Sequence, residues 1–381
     1  MKKSHVIKVI IAAALFAIYA AYVFNQSQTL PLTDVTAQRV ITASQILKGE
    51  ASLSSWRYGI IDLPINLILV KLLGVCTYAA DFSTAVIYLL LFTSGLLILH
   101  LNGMLSPMTA MIWITLTGMP DTGMFAGLTR SAGPCLCLLW LTHFIAGKNI
   151  RGIIGALVAG ILSLGHYPPL VSEDGHSLFF SAIRALQAVF RADFSNQPLF
   201  RFETGRYFLM TLILLLTVCV TLYRLFRGGW SLSKVCAVGI TLTYILCCLP
   251  SGGEANARPE LCAWIPFAAG LMLASEYVKS GLADARCSNG RVPVRVLIFL
   301  FCCVTVFFSA SEIVRSRPVS AADSAAIEIG EHGWTVGLCE EKHIAVMTVA
   351  CKDSVRFTSD ASDPDIQFEM NNWQIVNLSA E

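Results

Sequence analysis

The sequence has little charge and no motif for binding nucleotides. Only 14% of its 381 residues are charged, whereas a soluble globular domain carries about 25%. It contains no P-loop, no glycine-rich dinucleotide fingerprint and no C-x-x-C pair with metal-binding spacing. The net charge of +2 gives no basic surplus for a polyanion. These absences leave no recognisable nucleotide site and predict no nucleic-acid partner.

Apolar runs dominate the chain instead. Hydrophobic residues make up 55% of it, and the mean hydropathy is +0.65. Several runs are long enough to cross the roughly 30 Å hydrocarbon core of a bilayer. We therefore predict an α-helical polytopic membrane protein with about nine spans, at residues 6–24, 82–101, 106–119, 131–147, 151–166, 206–224, 233–250, 260–277 and 294–312.

The basic residues predict the orientation of these spans. Lys2, Lys3 and Lys8 precede or begin the first span and indicate a cytoplasmic N-terminus by the positive-inside rule. The first apolar run exceeds a signal-peptide core, so we predict an uncleaved anchor. Nine spans then put the C-terminus outside. The cytoplasmic segments carry only the acidic residues Glu276 and Asp284, against the further basic residues Lys148, Arg151, Arg224, Arg227, Lys234, Lys279, Arg286, Arg291 and Arg295.

Segment 59–75 is apolar but is not counted as a span. It contains Asp62, Pro64 and Lys71, and its apolar core is too short to cross a bilayer comfortably. Counting it would also place the basic segment around Lys148 outside. We predict that it lies on, or dips into, the outer membrane surface.

The first outer segment opens with "PLTDVTAQRVITASQILKGE", residues 31–50. Its apolar residues recur at helical spacing, which predicts an amphipathic helix at the outer interface. Thr33 or Asp34 is suited to cap its start, and Gly49 to end it. The predicted apolar face consists of Ala37, Val40, Ile41 and Leu47.

The order of these parts resembles the membrane-embedded GT-C glycosyltransferases. An anchor helix is followed by the Asp34 loop, Tyr58, the segment "DLPINLILVKLLG" and the second span. In that family the first outer loop carries an Asp, often followed by Glu, that acts as catalytic base or metal ligand. Asp34 occupies this position but is followed by Val35, and Leu63-Pro64-Ile65 matches the family's Pro-Pro-Leu-Tyr-like segment in part.

The resemblance implies further site residues on later outer loops. "TGMPDTGMFAGLTRSAG" resembles the second outer loop and "SGGEANARPELCAWIPFAAG" the late loop that carries an Arg. The implied catalytic residues are Asp34 and Asp121, and the implied donor-phosphate ligands are Arg258, Arg130 and Arg57. Ordinary structural roles remain open: a helix cap for Asp34, a turn for Asp121 and an interfacial cation for Arg258.

The loop after the fifth span begins with several polar side chains in "HYPPLVSEDGHS". Two histidines and two carboxylates lie close together, but their spacing fits no zinc pattern. We expect binding of the acceptor substrate here, with a divalent metal or a structural role left open. The candidate residues are His166, Tyr167, Glu173 and Asp174.

The function implied by the resemblance is glycosyl transfer outside the bacterial cytoplasmic membrane. The expected partners are a polyprenyl-phosphate sugar donor, a glycan or lipid acceptor and membrane lipids; no cofactor is assigned beyond the open divalent metal. The topology also resembles that of phage-type glucosyltransferases that modify O-antigen. Two alternatives stay open, an O-antigen or polysaccharide polymerase and a non-catalytic transporter or assembly partner; the near absence of charge within the spans argues against an ion-coupled transporter.

The last part of the chain changes character. Residues 313–381 are polar, and we predict that they form an extracytoplasmic β-rich lobe beyond a transmembrane domain of residues 1–312. Runs Trp334–Cys339 and Ile344–Cys351 predict a hairpin, and "VRFTS" and "WQIVNL" predict two further strands. The two tail cysteines, Cys339 and Cys351, are candidates for a disulfide because free thiols are uncommon in an oxidising compartment.

Overall fold

A computed structural model describes the greater part of the chain, and within the described ranges the chain is mostly helical. The described residues are 16–25, 27, 32, 34–117, 122–147, 150–162, 202–225, 229–248, 264–282, 292–313, 321–371 and 373–377.

Helices account for nearly all of the regular structure before residue 333. Their bounds in chain order, labelled α1 to α13, are Phe16–Asn25, Asp34–Lys48, Asp62–Leu73, Thr77–Leu101, Pro107–Thr117, Thr122–Gly147, Ile150–Leu162, Phe202–Tyr223, Leu232–Cys248, Ile265–Lys279, Val292–Ile313, Ala321–His332 and Glu341–Ala350. The strands β1 to β4 are Val336–Cys339, Arg356–Thr358, Phe368–Asn371 and Gln374–Asn377.

Every apolar segment predicted as a span contains a helix. Among the residues that the structure describes, however, α4 alone is long and apolar enough to cross a membrane. It has 25 residues, and its most apolar window has a mean hydropathy of 2.1. A rise of 1.5 Å per residue makes such a helix about 37 Å long. The helical character of the chain is therefore confirmed, together with one candidate span.

Helix α6 begins earlier than the sequence predicted. Residues 120–130 were expected to form an outer loop, but the helix starts at Thr122 and includes Arg130. In the sequence this start lies two residues after Pro120, and the residues that follow it include the good helix formers Met124, Ala126 and Leu128. These residues favour a helix over the loop that was expected before Arg130.

The chain divides into two compact units. The first combines the chain up to Ile87 with the segment from Ser316 onward, and the second consists mainly of Tyr88–Leu164 and Pro168–Arg315. In the first unit, α2, α3 and the start of α4 pack with the C-terminal helices and strands; we call this assembly the lobe.

The sheet of the lobe has the strand order β2-β1-β3-β4. Strand β1 pairs in parallel with both β2 and β3, while β3 and β4 form an antiparallel pair. Helix α13 connects β1 to β2. It contacts both β2 and α2, so it links the sheet to the N-terminal part of the lobe. Phe368 and Met347, both fully buried, lie in this core.

The predicted hairpin between Trp334–Cys339 and Ile344–Cys351 is wrong in its second half. The first run forms β1 from Val336 onward, but the second lies almost entirely in α13. Parallel strands cannot be joined by a tight turn and need a crossover, which is usually helical. Burial of Val346 and Val349 on this helix outweighs their preference for strands. The predicted strands in "VRFTS" and "WQIVNL" are confirmed as β2 and β4.

The second unit is held together by close contacts between helices. Trp113 on α5 is fully buried, and its indole ring lies against Gly95 of α4 and Gly270 of α10. A Cβ at Gly270 would lie 2.7 Å from this ring, and one at Gly95 would overlap it. Small residues at such positions let apolar helices approach closely, as they do in membrane proteins.

Candidate functional site

The structure describes some of the residues predicted for the site. Asp34 and Arg57 both belong to the first unit and are exposed. Arg130 lies within α6, and its side chain is not described. The remaining predicted residues lie outside the described residues; these are Asp121, Arg258, His166, Tyr167, Glu173 and Asp174.

Asp34 is the first residue of α2, where the sequence predicted a helix start. A carboxylate in the first turn of a helix is stabilised by the free N–H groups and the positive end of the helix dipole. The helix ends as predicted, at Lys48 followed by Gly49 with φ +76°. Asp34 is thus an exposed carboxylate fixed at a defined helix end, a geometry that suits contact with a substrate.

The apolar face of α2 is covered by protein. Ala37, Val40 and Ala43 are fully buried in the lobe core. Leu47, predicted for the same face, is 45% exposed. The helix was expected to rest on the membrane interface, but its face packs on α3 and α13 because the C-terminal segment supplies a closer apolar surface.

A buried ion pair joins α2 to α3. Nη2 of Arg39 lies 3.6 Å from Oδ2 of Asp62, which is the first residue of α3. Tyr58 stacks on the same guanidinium, with 5.1 Å between Cζ of Arg39 and the ring centroid. A cation over an aromatic ring is attracted to it, and more strongly when both are desolvated. We call Arg39, Tyr58, Asp62 and the adjacent Asn66 the polar centre.

Burial controls the electrostatics of the polar centre. Removal from water raises the pKa of Asp62, while the charge of Arg39 and a backbone hydrogen bond at Gly59 act in the opposite direction. Burial is the largest of these effects. A carboxyl group with a perturbed pKa beside a specific charge partner is a common feature of functional sites, although structural ion pairs share it.

Several polar atoms of this centre keep unused hydrogen-bonding capacity. Among the described residues, no hydrogen-bond partner lies within reach of Nε, Nη1 or Nη2 of Arg39, or of Oδ1 of Asp62 and of Asn66. The Asn66 amide does donate to the backbone oxygen of Asp62, at 2.8 Å. A buried polar atom without a hydrogen bond costs about 1–3 kcal/mol, so Arg39 is held here by the charge of Asp62 and by the ring of Tyr58.

Sequence reasoning did not select Arg39 and Asp62. Their signals were present: Arg39 interrupts the apolar face of α2 between Ala37 and Val40, and Asp62 lies in an apolar segment too short to span a membrane. A charge on a buried helix face requires a partner, but the sequence does not reveal which residue supplies it.

No metal centre is found among the residues that the structure describes, since none of their His, Cys, Asp and Glu side chains form a group of three or more suited to a metal ion. The divalent metal considered for the loop after the fifth predicted span concerns residues outside this part of the chain.

Comparisons with protein-family models, with curated proteins and with solved structures give no match to this chain.

Proposed function

We propose that this protein is a membrane-embedded glycosyltransferase of the GT-C type, which moves a sugar from a polyprenyl-phosphate donor to a glycan or lipid acceptor at the outer face of the cytoplasmic membrane. The observation that carries the proposal is the lobe, in which the first loop of the chain and its C-terminal segment share one hydrophobic core.

The shared core supports the nine-span topology. Two segments that pack in one core must lie on the same side of a membrane, so the chain crosses an even number of times between them. The described helices from α4 to α11 number eight, and each coincides with a predicted span. On the proposed topology each of them crosses the membrane, and with α1 they make nine crossings that leave the N-terminus on the opposite side from the lobe. The lysines at the N-terminus make the cytoplasm the favoured side for it.

The chemistry of the proposal requires an accessible carboxylate. Asp34 would deprotonate the acceptor hydroxyl or hold it through a metal, with Asp121 in support. The leaving phosphate needs cations, for which Arg258, Arg130 and Arg57 are the candidates. Arg39 and Asp62 would act as positioning residues, because their ion pair fixes the helix that begins with Asp34 against α3.

The test is a transfer assay with membranes containing the full chain and radiolabelled polyprenyl-phosphate sugars. The wild type should transfer label to endogenous glycan or lipid acceptors, and Asp34→Asn should lose about 100-fold or more of this rate, as expected for a removed general base. Asp365→Asn, which removes an exposed carboxylate elsewhere on the lobe, is the matched control and should keep its activity.

Two results would count against the proposal. A wild type inactive with all the common polyprenyl-phosphate hexoses would remove the assigned reaction. An Asp34→Asn variant with a normal transfer rate and normal abundance would show that Asp34 has only a structural role at the start of α2.

A further inference from the structure

Two cavities flank Tyr277 in the second unit. Tyr277 lies in the last turns of α10, is buried and donates from its hydroxyl to the backbone oxygen of Leu282, at 3.1 Å. One cavity measures about 440 Å³ and the other about 630 Å³. Both fall within the roughly 300–1,000 Å³ range of pockets that bind small molecules.

The linings of the two cavities are largely apolar and use different stripes of α11. Leu297, Ile298 and Phe301 face the first cavity, whereas Val292, Val296 and Phe299 face the second. Residues three or four positions apart share a face of a helix, so each set forms its own stripe along α11. Each cavity therefore offers its own apolar slot, and Tyr277 stands between the two.

Cations gather at the end of α10 beside these cavities. Glu276, which lines the first cavity, lies 3.9 Å from Arg224 and 3.4 Å from Lys279. Lys279 also donates to Ser231 at 2.6 Å. Arg295, which is exposed, lines the second cavity. Two cations thus lie beside the Glu276 carboxylate at the first cavity, and Arg295 adds a third at the second cavity.

We infer that this region binds a glycerophospholipid with an anionic headgroup, with one acyl chain in each cavity and the phosphate beside Arg224 and Arg295. The inference rests on the membrane location in the proposed function. Paired slots suit a lipid with two chains better than a polyprenyl phosphate, which has one. Basic pockets between helices near the cytoplasmic surface attract anionic headgroups. The proposed topology places the end of α10 at the cytoplasmic surface.

The test uses the purified full chain in detergent, equilibrated with equal amounts of phosphatidylglycerol and phosphatidylcholine of identical acyl chains. Native mass spectrometry counts the lipids retained. The wild type should retain phosphatidylglycerol about tenfold over phosphatidylcholine, since each basic residue near a headgroup contributes several-fold. Arg224→Gln with Arg295→Gln should reduce this preference to about twofold, whereas Arg356→Gln, the same loss of charge on the lobe, should leave it unchanged.

A second variant tests the cavities themselves. Ile298→Trp fills the first slot and should lower the retention of both lipids. Its thermal unfolding midpoint is measured alongside, and if the Ile298→Trp variant does not fold, the exposed arginine variants still test the inference. Equal retention of the two lipids by the wild type would overturn the inference. So would complete displacement of phosphatidylglycerol by an equal amount of polyprenyl phosphate, which would assign the site to a single-chain lipid.

The two proposals can fail separately. If the protein prefers phosphatidylglycerol but transfers no sugar, the proposed glycosyltransferase activity is refuted and the lipid site is supported. An active transferase with no lipid preference would do the reverse.

Discussion

The guanidinium of Arg39 and the carboxylate of Asp62 face each other across 3.6 Å with exposures of 0% and 2%. The two residues belong to different helices of the first unit, so their pair fixes the packing of α2 on α3. A buried pair of this kind contributes less to stability than its Coulomb attraction suggests, because both ions lose their hydration. Its effect is therefore measured best by removing one partner at a time.

Arg39→Met should destabilise the lobe by about 3–5 kcal/mol at neutral pH, because the carboxyl group of Asp62 then remains buried without its counter-ion. Urea unfolding followed by the fluorescence of Trp334 and Trp373, which pack on the lobe core, measures this change. Replacing both partners, Arg39→Met with Asp62→Leu, should recover most of the loss.

The matched control for this prediction is the exposed ion pair between Lys48 and Asp353, at 3.0 Å. Lys48→Gln should change stability by about 0–1 kcal/mol. A loss for Arg39→Met no larger than that of the control would show that the buried pair does not hold α2 on α3.

The raised pKa of Asp62 predicts a pH dependence of stability. A carboxyl group whose pKa is higher in the folded than in the unfolded chain stays protonated longer in the folded state. Its contribution is complete below the unfolded value of about 3.9 and is lost as pH rises through the folded pKa. The wild type should therefore lose stability relative to Asp62→Asn as the pH rises above about 4.

Urea midpoints of the two proteins across a pH series measure this difference. The other carboxylates are the same in both proteins, so their effect cancels in the comparison. If the wild type instead gained stability relative to the variant as the pH rises, the charge of Arg39 would affect the pKa of Asp62 more than burial does.

Gly337 has no room for a side chain. It lies opposite Phe368 in the pairing of β1 with β3, and an added Cβ would overlap the Phe368 ring. That ring is fully buried and stacks on Trp334 with 5.0 Å between centroids. Gly337→Ala should cost about 1–3 kcal/mol by overpacking.

Gly330 in α12 provides the control of opposite sign, because an added Cβ there meets no atom within 4 Å. Gly330→Ala should stabilise the lobe by roughly 0.5–1 kcal/mol, since Ala is the better helix former. Urea unfolding of both variants checks the two signs together, and similar effects of both would contradict the packing described for Phe368.

Cys339 and Cys351 are buried free thiols, so the disulfide considered from the sequence is wrong for this structure. Helix α13 separates them, and its 10 residues extend about 15 Å, well beyond the 4.4–6.8 Å that the Cα atoms of a disulfide allow. Burial raises the pKa of each thiol to about 11. Little reactive thiolate therefore exists at neutral pH.

Maleimide labelling should modify neither thiol rapidly in the native protein and both completely in denatured protein that was never reduced. Mass spectrometry of the tail peptides reads each site separately. A tail peptide that labels only after reduction would establish the disulfide and contradict the position of α13.

The proposed nine-span topology predicts the side of each connecting segment. Reporters fused after Lys148, Arg227 or Arg286 should be cytoplasmic, and reporters after Asn196 or at the C-terminus should be extracytoplasmic. A cytoplasmic C-terminus together with an outer first loop would be incompatible with their common core, and would refute either the topology or the lobe.

The sequence predicted those parts of the fold that depend on neighbouring residues. The bounds of α2 follow from an acidic start, apolar residues at helical spacing and Gly49, all within one short stretch. The apolar helices follow in the same way from composition. Strands β2 and β4 were also found, since each is a short run of β-favouring residues between polar turns.

The errors concern relations between distant residues. Whether 344–351 becomes a strand or a helix depends on β1 and β2 pairing in parallel, which no local pattern reveals. The partner of Arg39 could not be read either, because Asp62 lies on another helix and the contact depends on how α2 and α3 pack. The start of α2 at Asp34 was predicted correctly because it depends on the immediate neighbours of that residue, whereas the role of Asp34 in a site stays a prediction.

Because the lobe combines the beginning and the end of the chain, it cannot fold completely until synthesis is nearly finished. Lys48 and its partner Asp353 are 305 residues apart in the chain. At about 5–20 residues per second, a ribosome needs roughly 15–60 seconds to make the interval between them. During that period the face of α2 around Val40 has been synthesised but its final partners have not. Until the C-terminal helices and strands emerge, this face lacks part of the apolar surface that covers it in the folded lobe, so a truncation that removes them would leave α2 without those packing partners.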